Sequence, residues 1–336
     1  MKKLLLFVAM LMCLSAHAQH TDQPTATLQV GEQTSIFYGK DAFKSAFAAA
    51  PDEGGVIILS SGVFETVSDI NKSVSIYGAG FENDTISHDP LAVVPYTKIT
   101  GGFNIVANSD GVAPANIYLE GLCINDDDFK IKTGSIEGLK IVKCSLRYVR
   151  VEDVIKNSFL RQCHIYAIKG NSKIAENLRV ENCWIAYIDQ FPSESTISVD
   201  HCIMSYIYFG ALAGPYNFSN CYFADRPTAN GGVYYNCIIN GDLPHTATGV
   251  NCWYRLSPEQ IFGTNMEYQP HKTWKLLDPA SYVGNDGTEV GLYGGNYPWN
   301  KIPSTPRITE SKVDVRTSTD GHLKVTLKAE ARPVTE

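Results

Sequence analysis

Residues 141–204 read IVKCSLRYVRVEDVIKNSFLRQCHIYAIKGNSKIAENLRVENCWIAYIDQFPSESTISVDHCIM. Cysteine recurs in this stretch at 144, 163, 183 and 202, and beyond it at 221, 237 and 252, in steps of 19, 20, 19, 19, 16 and 15 residues. The neighbours recur with it. Three residues before each cysteine stands an apolar residue: Ile141, Leu160, Val180, Val199, Phe218 and Tyr234. Two residues after comes another: Leu146, Ile165, Ile185, Met204, Phe223 and Ile239. Asn or His often precedes the cysteine, at Asn182, His201, Asn220, Asn236 and Asn251. Only Gly249, before Cys252, breaks the apolar rule.

Short period-2 strands that return about every twenty residues describe a coil that climbs one strand spacing, about 4.8 Å, per turn. One coil cannot bury its own apolar face, so stacked coils share a continuous interior column. The segments are too short, and too rich in β-branched and aromatic residues, for paired helices. Alternation places the residue after each cysteine outside, between two inward ones. The template extends backward: Leu119, Leu122 and Ile124 fill the three apolar slots, which puts Cys123 in the outward slot. Ile99 to Val106 and Val74 to Ile76 read as earlier coils, and Val56 to Phe64 opens the first. Residues 55–255 then make about ten coils, or roughly 50 Å of solenoid.

The block Asp41 to Phe64, DAFKSAFAAAPDEGGVIILSSGVF, places Phe43, Ala46, Phe47 and Ala50 on one helical face, as a cap for the open end. With SVSIYGAG at 73–80 it resembles the entry of the right-handed parallel β-helix, or pectin-lyase-like, superfamily. The stretch DGTEVGLYGGNYPW at 286–299 is similar to the closing segment of uncharacterised secreted β-helix proteins of Bacteroidetes-type bacteria. The resemblance covers residues 36–300 and implies an all-β fold, a single-stranded right-handed parallel β-helix. It says little about chemistry, because this fold carries lyases, hydrolases, epimerases, adhesins and scaffolds alike.

Met1-Lys2-Lys3, the apolar run Leu4 to Leu14 and Ala16-His17-Ala18 read as a secretory signal peptide over residues 1–18. The protein is therefore expected in the periplasm, at the cell surface or outside. Residues 19–54 form the N-terminal segment and cap helix, and 256–305 a loop-rich cover folded over the last coil. In 306–336, Lys312 to Arg316 and Leu323 to Ala329 read as a β-hairpin joined through Asp320-Gly321 that caps the C-terminal edge. Asp84-Thr85-Ile86 matches a short O-glycosylation pattern. Net charge is −7, which gives no footprint for nucleic acid or anionic lipid. No later apolar run spans a membrane, and a monomer is expected.

The chain holds nine cysteines, and one of them, Cys13, lies in the signal. No CxxC occurs, which argues against zinc. In-register Cβ vectors are parallel and so poorly set for disulfides, and the cysteines read as a ladder of buried thiols. One or two disulfides stay open as the alternative. The Asn file is expected to hydrogen-bond along the turns.

Outward slots beside the ladder supply the candidate substrate-binding residues: basic Arg147 and His164, aromatic Tyr166, Trp184 and Tyr222. Aromatic faces stack on sugar rings, and arginine pairs with uronate or sulfate. The same aromatics would equally serve as a seat for the C-terminal segment. Asn125-Asp126-Asp127-Asp128 offers oxygen ligands, with Asp126 and Asp128 the candidates for a calcium ion that only a lyase would need. Otherwise no cofactor is expected. Three functions follow: a non-catalytic module for an extracellular polysaccharide or cell-surface glycan, a polysaccharide lyase or glycoside hydrolase, or an assembly component with a protein partner. The first leads, because no complete catalytic constellation is legible.

Overall fold

A computed structural model describes residues 23–82, 96–132, 134–205, 216–227, 232–269, 272–313, 322 and 324–330. The leader at 1–18 and the Asp84-Thr85-Ile86 pattern lie outside the described residues. The chain is a parallel β-solenoid of about nine turns, one fewer than the repeat suggests. The coils give strands to each of two long sheets, in some coils two short ones to the same sheet. In the first sheet Leu119, Ile141, Leu160, Val180, Val199, Phe218 and Tyr234 pair in sequence, rung on rung. In the second, Leu146, Ile165, Ile185, Met204, Phe223 and Ile239 do the same. All of them are buried in one column that runs the length of the solenoid.

The residue before each cysteine turns the chain from the first sheet to the second. Lys143, Gln162, Asn182, His201, Asn220, Asn236 and Asn251 all have φ between 48° and 53°. This is the left-handed region, which asparagine tolerates better than most side chains. It accounts for the Asn preference at the corner, beside the hydrogen bonding along the turns. Side-chain bonding along the axis occurs in this file, where Asn220 Nδ2 meets His201 Nδ1 (3.4 Å) and donates to Asp200 Oδ1 (3.0 Å), and in another, where Asn177 Nδ2 donates to Asn157 Oδ1 (3.0 Å) and Asn157 Nδ2 to Glu137 Oε1 (2.9 Å).

The eight described cysteines are free thiols. Each ladder thiol does a job that valine cannot. The amide N–H of Cys163 donates to Cys183 Sγ (3.3 Å), and that of Cys183 to Cys202 Sγ (3.3 Å). The Cys183 thiol in turn faces the carbonyls of Glu181 (3.2 Å) and Leu160 (3.5 Å). The inward amides of Cys144, Cys163, Cys183 and Cys202 thus find an acceptor inside the apolar column.

The N-terminal end is closed. Strands β1 (Thr25–Val30) and β2 (Gln33–Tyr38) pair antiparallel, and β1 pairs with the first coil strand β3 (Glu53–Leu59). Helix α1 (Ala42–Ala49) buries Phe43, Ala46 and Phe47 against the column, as its spacing requires. Lys72 Nζ donates to the carbonyls of Phe47, Ala48 and Ala50, groups that the end of a helix leaves open.

The C-terminal cover does not close the far end. After helix α2 (Pro258–Phe262), started by a capping box at Ser257 and Gln260, the chain turns back along the flank as a strap. Asn236 Nδ2 donates to Val283 O (3.3 Å) and Asn220 Nδ2 to Asn285 Oδ1 (2.8 Å). His201 Nε2 meets Thr288 Oγ1 (3.0 Å), and Asn182 Nδ2 donates to Leu292 O (3.0 Å) and Gly294 O (2.9 Å). Gln162 Nε2 donates to Tyr297 O and Pro298 O. Strap numbers rise as coil numbers fall, so the strap climbs toward the N-terminal end. It is pinned there by Glu120, which accepts from Ser304 N (2.7 Å) and Ser304 Oγ (2.6 Å).

A hairpin is present, with strands Arg307–Val313 and Val325–Glu330, so its first strand starts before the expected Lys312, and its strands pair with each other alone. It starts beside Thr305, whose hydroxyl donates to Gly78 O in an early coil. It therefore does not cap the C-terminal edge: the strap has already carried the chain to the other end.

Candidate functional site

The outward file of the second sheet runs Lys98, Cys123, Ser145, His164, Trp184, Ile203, Tyr222, Ile238 and Trp253. The strap seals most of it into a second apolar core with Ile261, Phe262, Trp274, Leu276, Val290, Leu292 and Trp299. Tyr222 is fully buried, its ring edge-on to Phe262 at 4.7 Å and its hydroxyl donating to Leu256 O. Trp184 is 6% exposed, tilted against Trp274 and packed against Tyr268. His164 stacks on Tyr268 with ring centroids 3.6 Å apart. Burial, with Lys301 nearby, lowers its pKa to about 3, so the ring is neutral at physiological pH. These three expected glycan contacts are corrected: strap and solenoid use them to hold each other. Cys123, outward as expected, is 1% exposed for the same reason.

Arg147 and Tyr166 do reach solvent, with Tyr166 48% exposed. They lie past the sealed file, at equivalent positions of adjacent strands, beside Tyr148. The acidic run is spoken for by cations. Asp126 pairs with Lys98 at 2.7 Å, and Asp128 pairs with Arg150. Among the described residues no group of three His, Cys, Asp or Glu stands ready to hold a metal ion. Among them, too, no helix is long and apolar enough to cross a membrane.

A concavity lies on the other face, over the outward residues of the first sheet. It encloses about 590 Å³. Its floor is set by register: Ser75, Tyr118, Lys140, Phe159 and Arg179 form one file across successive coils. Tyr77, Glu120, Val142, Arg161 and Glu181 form the file beside it. Tyr77 and Tyr118 have ring centroids 5.2 Å apart. Arg161, 2% exposed, lies between Phe159 and Tyr297 with its guanidinium carbon 4.4 Å and 3.4 Å from their centroids. It is tied to Glu181 Oε2 at 2.8 Å, and Arg179 reaches Glu181 Oε1 at 3.3 Å. Tyr297, from the strap, supplies one wall. A second hollow of about 320 Å³ shares Ser75 and Asn116 with the first and extends the groove to Glu53.

The carboxylates beside the first hollow, Glu120 and Glu181, are held in fixed bonds. Glu120 is 1% exposed and accepts from Tyr118 Oη (2.9 Å) as well as from Ser304. Burial and the Glu120 charge push the Tyr118 phenol far up, so it stays protonated.

The sequence held a signal for this groove. The same alternation that puts Ser145 and Trp184 outside also puts outside the residues four and two before each cysteine. Lys140, Phe159, Arg161 and Arg179 stand there. No protein-family model matches the chain, and no curated protein or solved structure matches it either.

Proposed function

We propose that the chain is an exported, non-catalytic module that holds an extracellular glycan along the groove of the first sheet. The observation that carries this reading is the groove itself, elongated along the axis and lined by Tyr77, Tyr118, Phe159 and Tyr297 with Lys140, Asn157 and Arg179. Aromatic walls and convergent polar groups in a preformed cleft suit a polyhydroxylated polymer. The engagement of Glu120 and Glu181 in fixed bonds favours binding over proton transfer. Kinship with pectin-lyase-like proteins belongs to the same proposal and adds no residue to it.

The test is affinity electrophoresis of the mature protein against neutral and acidic polysaccharides, read beside reducing ends and ultraviolet-absorbing products. A mobility shift that Tyr77→Ala weakens about five- to tenfold, with no product formed, is the expected outcome. Product release would make the protein a lyase or hydrolase. No shift across the panel would leave the protein-partner reading in its place.

A further inference from the structure

On the bend that follows the sealed file, three cations surround one ring. The guanidinium carbons of Arg147 and Arg150 lie 5.4 Å and 5.1 Å from the Tyr148 centroid, and Lys169 Nζ lies 5.2 Å from it. Lys169 is also 5.4 Å from the Tyr187 ring. Tyr166 stands edge-on to both tyrosines, at 5.3 Å and 5.6 Å. This is not the groove: these side chains come from the second sheet, and the groove lines the first.

The charges do not cancel locally. Arg150 has Asp128 as its partner. Among the described residues neither Arg147 nor Lys169 has a carboxylate within ion-pair distance, although Asp189 is the rung-mate of Lys169. Lys130 adds another cation as the rung-mate of Arg150. Four cations therefore stand against two carboxylates here, in a chain whose net charge is −7. Folding brings like charges together around a tyrosine, and the exposed ring of Tyr166 adjoins them. Cation–π contact offsets part of the repulsion and fixes the cations in place, but leaves their charge for a ligand.

We propose that this bend is a second site, specific for an anionic sugar unit. The Tyr166 face stacks on the ring of the sugar, and Arg147 and Lys169 take its carboxylate or sulfate. The proposal is independent of the groove and needs no catalytic step.

The experiment measures binding of the full mature chain to dextran sulfate, polygalacturonate and neutral dextran by calorimetry at low and high salt. Three proteins are compared: wild type, the double variant Arg147→Gln with Lys169→Gln, and the groove variant Tyr77→Ala. Wild type is expected to bind at least one anionic polymer more tightly than dextran, and less so at high salt. The double variant loses about tenfold in that affinity and keeps the affinity of wild type for dextran. The sulfate and carboxylate arms distinguish the two anions. No binding of either anionic polymer by wild type overturns the proposal. So does an unchanged affinity in the double variant, or an equal loss for all polymers with a lowered Tm. Loss in Tyr77→Ala alone would assign the anion to the groove and refute the second site.

Discussion

Asn182 joins the two halves of the molecule and gives the sharpest test of how the strap is held. It is 3% exposed, its φ is 50°, and its amide donates to Leu292 O at 3.0 Å and Gly294 O at 2.9 Å. Asn182→Gly keeps the backbone and removes both donors. Two hydrogen bonds at about 1 kcal/mol each set a floor of roughly 2 kcal/mol, and unsatisfied buried carbonyls raise it toward 4. Asn182→Ala loses the same bonds and also strains the left-handed turn. It is worse than glycine by about 0.5–1 kcal/mol once the flexibility of glycine in the unfolded chain is discounted. Asn182→Asp tolerates the turn but aims a carboxylate at two carbonyls, so it is the worst of the three.

The readout is local. Gly291 N donates to Asn220 O, Gly295 N to Thr288 Oγ1, and Trp299 N to Leu292 O, so these amides report strap docking. A loss of about 2 kcal/mol lowers their hydrogen-exchange protection roughly thirtyfold, while column amides such as Val180 keep theirs. The expected order of damage is Asp, then Ala, then Gly. The reasoning fails if the glycine variant protects the strap within threefold of wild type, or if aspartate is the mildest change.

Four further outcomes follow from the same geometry. Native thiol labelling should modify Cys252 first, because Cys123 and the ladder from Cys144 to Cys237 are buried; Cys237 and the other groups around Cys252 lower its thiol to about 7, so its rate should climb through that pH, and early labelling of Cys123 would contradict the sealed file. Cys183→Val should cost about 1–3 kcal/mol in urea unfolding by stranding the Cys163 amide, and Cys183→Ser less; equal costs would deny the thiol its acceptor role. Trp184→Ala should destabilise by about 3–5 kcal/mol and lower glycan affinity only as far as the strap undocks, and a selective loss of glycan binding at unchanged stability would restore Trp184 as a contact. For His201, burial disfavours the charge, but Asp200 at 3.1 Å and Asp286 outweigh it and the pKa is raised; the stabilisation is complete below the ordinary histidine value and fades as pH rises through the folded one, so the Tm advantage of wild type over His201→Asn should shrink from pH 5 to pH 9, and a constant advantage would refute it.

The interior of this protein was legible because each inward position repeats under one constraint. Ile141, Leu160 and Val180 share a rung environment, and so do Cys163 and Cys183, so spacing alone locates them. Outward positions carry no such constraint. Alternation says that Trp184 and Tyr166 leave the column, but not whether water or Trp274 lies beyond. That depends on a strap some hundred residues later in the chain, whose bonds to Asn182 and Gln162 use backbone carbonyls and leave little trace in sequence. The polarity of each file held the missing information. His164, Trp184, Ile203, Tyr222 and Ile238 are too apolar together for a solvent face, and such a patch asks for a partner. Lys140, Phe159, Arg179, Ser198 and Asn217 ask for none.

The strap therefore decides where a ligand can lie, and it does so twice. It closes the apolar flank, and at its far end it presents Tyr297 as a wall of the groove, stacked on Arg161. Groove and strap are thus thermodynamically linked. If the undocked strap leaves the groove one wall short, the apparent affinity scales with the docked fraction. A strap docked by about 5 kcal/mol is more than 99% in place, and the roughly 2–4 kcal/mol lost in Asn182→Gly still leaves most molecules docked. Where the carboxylate of Asn182→Asp costs more than the docking energy, it empties the docked state. Glycan affinity should then barely change in the glycine variant and collapse in the aspartate one, although Asn182 touches no part of the groove. A parallel, graded loss in both variants would mean that Tyr297 does not complete the wall.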